Sequence, residues 1–139
     1  MEAFISNMED DEKEYEVLRQ EGNEAYKKKD YDEAVDCYTD AIEAAERAGE
    51  PQAAIFANRA AAYMMQNNFK KAILDCQAAI RIDDKYVKAY QRAGKCMVEL
   101  GEYTRASDFY STGLELDPKN KDLKKELNLI KYLKVRRCI

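Results

Sequence analysis

The chain has 139 residues, 46% of them apolar and 36% charged, with five Gly, two Pro and a formal net charge of −4. This length can bury a continuous core, and the low Gly and Pro content favours a helical protein over a β-sandwich or a disordered chain. The acidic balance argues against nonspecific nucleic-acid binding, which rests on Lys and Arg neutralising phosphates. With no His and no C-x-x-C spacing among Cys37, Cys76, Cys96 and Cys138, finger-type zinc sites and Cys-His catalytic pairs are excluded.

Residues 1–10 read as an acidic, disordered lead to a single domain over 11–137. Neither a signal peptide nor a run of roughly 18 apolar residues is visible, so no membrane segment is expected. The cysteines read as reduced thiols, with Cys138 exposed near the end, which suits the cytoplasm. No cofactor and no enzymatic activity are expected, because the chain shows no Gly-rich phosphate loop, no nucleophile elbow and no metal-ligand cluster.

From residue 11 the chain is self-similar. The stretches 30–42, 68–80 and 102–114 superimpose without a gap, aligning Tyr31, Phe69 and Tyr103; Ala34, Ala72 and Ala106; Tyr38, Cys76 and Tyr110; Ala41, Ala79 and Gly113. Ala72 and Ala106 are 34 residues apart, the period of the tetratricopeptide repeat (TPR), and Ala34 and Ala72 are 38 apart. The four extra residues are placed in 45–53, where Gly49 and Pro51 punctuate a lengthened turn. Each unit is a helix pair, with A helices near 11–28, 51–66 and 85–99 and B helices near 31–47, 69–82 and 102–115. Small residues at Gly22, Ala60 and Gly94, and at Ala34, Ala72 and Ala106, let the two helices of a pair approach closely.

In the third unit, Lys85, Lys88, Arg92 and Lys95 fall on one narrow helical arc, with Val87, Tyr90, Ala93, Met97 and Leu100 opposite. Like charges at i,i+4 and cations near a helix N-terminus are locally unfavourable, and such a cost points to binding. Asp117-Pro118 ends the unit. Leu123, Leu127, Ile130 and Leu133 then recur at helical spacing, which predicts a capping helix over about 120–136. The expected fold is all-α: an α-solenoid of three TPR helix pairs (about 15–48, 53–86 and 87–120) plus a C-terminal capping helix, as a monomer.

The stretches 19–42, 56–80 and 88–106 resemble the three-repeat TPR domains of the carboxylate-clamp cochaperones, a family that includes the Hop adaptor, TPR-bearing J-proteins and small glutamine-rich TPR proteins. The resemblance implies an adaptor that binds the C-terminal Glu-Glu-Val-Asp tail of cytosolic heat-shock proteins 70 or 90. The family pattern falls on Arg19, Asn23, Asn58, Lys88 and Arg92. Arg19 stands where Lys is common, keeping the charge but not the point-like geometry. Tyr26, Ala61 and Met64 resemble the residues that receive the tail's Val and the residue before its two Glu, Met65 is a further candidate beside them, and Lys27 and Lys95 widen the basic groove.

The chemistry is reasonable in itself, since a terminal Asp carries two carboxylates and needs several converging donors. Arg19/Asn23 and Lys88/Arg92 are i,i+4 pairs, and the Asn residues donate without adding charge. The alternative is a general TPR scaffold that binds an internal peptide or an assembly subunit, with the basic stripe incidental.

Overall fold

The computed structural model describes residues 13–138, with side chains through Arg136. The expected acidic lead and the side chain of Cys138 lie outside the described residues. Among the described residues seven helices follow in order: α1 (Glu14–Lys27), α2 (Tyr31–Arg47), α3 (Ala53–Met65), α4 (Phe69–Ile82), α5 (Val87–Glu99), α6 (Tyr103–Leu116) and α7 (Lys121–Cys138). Successive helices pack pairwise, and α3 also touches both α1 and α5. This is the solenoid expected from the repeat.

The turns explain why the units are so alike. Lys29 (φ 64°), Asn67 (φ 59°) and Gly101 (φ 77°) stand at equivalent positions in the left-handed region. In each turn the next N–H returns five residues, from Asp30 to the Ala25 carbonyl, Asn68 to Tyr63 and Glu102 to Met97. These bonds stop the A helix and satisfy its last carbonyls. The B helices α2 and α4 then start on side-chain caps, Asp30 accepting from the Glu33 N–H and Asn68 from that of Lys71.

The four-residue insertion is mostly helix, as the expected B helices over 31–47 and 69–82 implied: α2 has 17 residues where α4 and α6 have 14 each, because the buried Ala44 and Ala45 give the extra turn apolar surface to cover. Gly49, at φ 71°, marks the single residue added to the turn. Helix α3 begins at Ala53 rather than 51, after an extended Gln52. Helix α5 begins at Val87, so Lys85 leaves the basic stripe for the preceding turn, where its N–H donates to Asp83 Oδ1 at 3.0 Å. Leu100 caps the far end of α5 and is 41% exposed, outside the core.

Packing within a pair follows a size rule. A Cβ built on Gly22 would lie 2.6 Å from the Tyr38 ring, and one on Gly94 would lie 2.4 Å from the Tyr110 ring. In the second unit the corresponding positions hold Ala60 and Cys76, both fully buried in one apolar cluster, so a larger residue on the A helix goes with a smaller one on the B helix. Gly94→Ala is expected to cost about 1–3 kcal/mol by overpacking, since the Tyr110 ring is fully buried. The check is a lower urea midpoint at unchanged m-value.

A buried ion pair within unit two also reaches across to unit one. The Arg59 guanidinium donates to both Asp75 oxygens at 2.8 and 2.7 Å, and to Thr39 Oγ1 at 3.1 Å. It also lies over the rings of Phe56 and Tyr63. Three helices, α2, α3 and α4, thus meet at one side chain. At the C-terminal end, Leu123 and Ile130 of α7 are buried against the third pair, while Tyr132 and Val135 remain exposed.

Candidate functional site

The A helices α1, α3 and α5 lie side by side, and polar contacts run across them. Asn23 on α1 is held by Tyr38, whose hydroxyl donates to Asn23 Oδ1 at 2.6 Å. Asn58 on α3 donates to the same oxygen at 3.4 Å. With its oxygen engaged, the Asn23 amide is left to present its NH2 donors. On α5 the Arg92 guanidinium reaches back to the Ala57 carbonyl at 2.7 Å. That contact places a cation beside Asn58 and ties the third unit to the second.

Electrostatics give a second measure of this convergence. The Tyr38 hydroxyl is pushed up to about 12, by burial first and by Tyr26, while Arg92 and Arg19 pull it the other way. Two cations from helices at opposite sides of the row therefore act on one hydroxyl. Arg19, Asn23, Asn58 and Arg92 are brought together. Lys88, one turn before Arg92, is exposed and makes no ion pair among the described residues.

Arg19 is not idle. Glu16 accepts from its Nε at 3.1 Å and from a terminal nitrogen at 2.7 Å, so a carboxylate already occupies one edge of the fork. The sequence reading missed Glu16, although its i,i+3 spacing from Arg19 was the available signal. It also missed Tyr38 as the group that orients Asn23, for which the alignment of Tyr38 with Tyr110 suggested only packing. The Arg59–Asp75 pair, likewise unforeseen, had one hint: Arg59 is the lone charge in α3.

The remaining candidates are spread out. Tyr26 is half-buried with its ring edge-on to Tyr31, centroids 5.4 Å apart. Ala61 and Met64 are half-buried on α3, and Met65 is 50% exposed. Met64, Met65 and Lys95 line a shared cleft. Lys27 is 73% exposed and 3.4 Å from Glu24, and lines a cleft with Asn23 on α1.

Among the described residues no group of His, Cys, Asp or Glu could hold a metal, and no helix is long and apolar enough to cross a membrane. Cys76 and Cys96 are buried, and burial above all raises both thiols to about 12, so neither presents a thiolate near neutral pH.

Comparison with known proteins gives two family matches: residues 2–93 match "Serine/threonine-protein kinase BSK1-like, TPR repeats", and residues 63–127 match "Tetratricopeptide repeat". The mouse (Mus musculus) DnaJ homolog subfamily C member 7 is 39% identical over 118 residues, covering 85% of this chain. The chain spans 23% of that protein's length. Among solved structures, the first TPR of Spaghetti (RPAP3) bound to the HSP90 peptide SRMEEVD aligns with TM-score 0.81 and 34% identity, over 87% of this chain and 93% of that one. The second TPR domain of human RPAP3 in complex with the HSP70 peptide SGPTIEEVD aligns with TM-score 0.75 and 34% identity, over 84% and 98%.

Proposed function

The chain belongs to the tetratricopeptide-repeat family, and from that premise we propose that it is a non-enzymatic chaperone adaptor module that grips the C-terminal Glu-Glu-Val-Asp tail of a cytoplasmic heat-shock protein 70 or 90. The observation that carries this reading is the meeting of Arg19, Asn23, Asn58 and Arg92 around the Tyr38–Asn23 hydrogen bond. A terminal Asp bears two carboxylates on adjacent carbons. The Arg19 and Arg92 guanidiniums and the Lys88 ammonium supply charge from two sides, and the two Asn amides supply neutral donors between them. The same sites are made ready before any ligand arrives, Asn23 by Tyr38 and Arg92 by the Ala57 carbonyl, which lowers the ordering cost of binding. Tyr26, Ala61 and Met64 provide apolar surface next to the polar cluster for the tail's Val and the residue ahead of its glutamates. The resemblance to TPR domains solved with SRMEEVD and SGPTIEEVD supports the choice of ligand. The module acts as a monomer.

Binding is expected in the micromolar range and to weaken as salt rises, since a short peptide buries few atoms and its anchor is electrostatic. Calorimetric titration with Met-Glu-Glu-Val-Asp and with its C-terminal amide tests it. The acid binds and the amide does not. Equal binding of both would replace the clamp with recognition of an internal peptide segment.

A further inference from the structure

This inference rests on the terminal-carboxylate reading above and concerns what precedes the tail's acidic residues. The open face of α5 changes sign along its length, with Lys88, Arg92 and Lys95 followed by Glu99. Beside Glu99, α7 contributes Glu126, and between α3, α5 and α7 lies a cleft of about 450 Å³ whose lining includes Met64, Met65, Lys95, Glu99, Tyr110 and Glu126. Tyr110 is fully buried, with the Glu126 carboxylate facing its hydroxyl. Burial first, then the charge of Glu126 and a hydrogen bond to it, raises the Tyr110 pKa, so the hydroxyl keeps its proton.

We infer that this cleft takes a basic side chain five residues before the terminal Asp of the captured tail, with Met64 and Met65 along its aliphatic stem and the carboxylates of Glu99 and Glu126 at its charged end. The reach fits: Lys88 to Glu99 is about 16 Å of helix rise, and five extended peptide residues span about 17 Å. The charges fit in order as well. Terminal carboxylates meet Lys88 and Arg92, the tail's glutamates meet Lys95, an apolar residue meets the two methionines, and a cation meets the two glutamates. Of the two peptides in the similar structures, SRMEEVD has Arg at this place and SGPTIEEVD has Thr, so the cleft selects the first.

The test titrates the protein and its Glu99→Gln/Glu126→Gln variant with SRMEEVD, SAMEEVD, SGPTIEEVD and amidated SRMEEVD. In the unaltered protein SRMEEVD binds roughly three- to tenfold more tightly than SAMEEVD, the scale of a partly exposed charge-assisted contact. In the variant the two bind alike, with SAMEEVD unchanged. The unchanged SAMEEVD affinity also shows that the variant is folded. Equal affinity of SRMEEVD and SAMEEVD in the unaltered protein, with the amide failing to bind, overturns the basic subsite and leaves the clamp standing. Undiminished binding of the amide overturns both.

Discussion

Arg59→Ala is expected to lower stability by about 3–5 kcal/mol near neutral pH, because it strands a carboxylate inside the protein. Asp75 is only 4% exposed, and the two causes that hold its pKa down, the hydrogen bond and the charge, both come from Arg59. Even with Arg59 present, burial wins and the Asp75 pKa is raised. Ionised Asp75 is therefore a burden on the fold, and the pair is a compensated cost rather than a source of stability. The sign follows from linkage: a raised folded pKa means the native state binds the proton more tightly, so stability falls as pH rises from the unfolded to the folded pKa. Without Arg59 that folded pKa moves higher still. The deficit of Arg59→Ala is therefore smallest in acid, where Asp75 is protonated in both states, and grows as pH rises. Urea unfolding at several pH values checks this. A deficit that ignored pH would assign the loss to the Phe56 and Tyr63 contacts instead.

Lys88→Ala is expected to weaken binding of the free-acid tail peptide roughly ten- to a hundredfold, equivalent to one charge-assisted contact of about 1.5–3 kcal/mol. Lys88 is the clean position for this measurement, being exposed and without an ion pair among the described residues, so its removal leaves the fold alone. Arg92→Ala would also cut the bond to the Ala57 carbonyl and mix binding with stability. Arg19→Ala should cost less than Lys88→Ala, because Glu16 already spends part of that guanidinium. Lys125→Ala, exposed on α7, is the control and leaves affinity unchanged. Calorimetry in low and moderate salt reads all four. An unchanged Kd for Lys88→Ala would remove α5 from the site.

How much of this was legible beforehand differs by level. Helix positions came through to within a few residues because the aligned Ala34, Ala72 and Ala106 fix the register of all three units, and the turn residues Lys29, Asn67 and Gly101 obey the same spacing. The helix starts that erred, at Ala53 and Val87, follow Pro51 and the Asp83-Asp84 turn, where local hydrogen bonds decide the boundary and periodicity does not. The candidate site was legible as residue types at register-linked positions. Its internal wiring was not, because Tyr38 donating to Asn23, Glu16 occupying Arg19 and Arg92 reaching Ala57 each depend on side-chain rotamers and on how one helix pair leans on the next. The buried Arg59–Asp75 pair joins residues 16 apart on different helices, and no one-helix pattern could announce it.

The bonds from Asn58 to Asn23 and from Arg92 to Ala57 have a mechanical meaning as well. A repeat stack is a spring, and these contacts are stays strung along the row of A helices, the first joining units one and two and the second joining two and three. Pulling the ends apart along that row loads them in series. The chain therefore resists uncoiling there with polar bonds that water can replace one at a time, while the apolar seams between pairs yield only together.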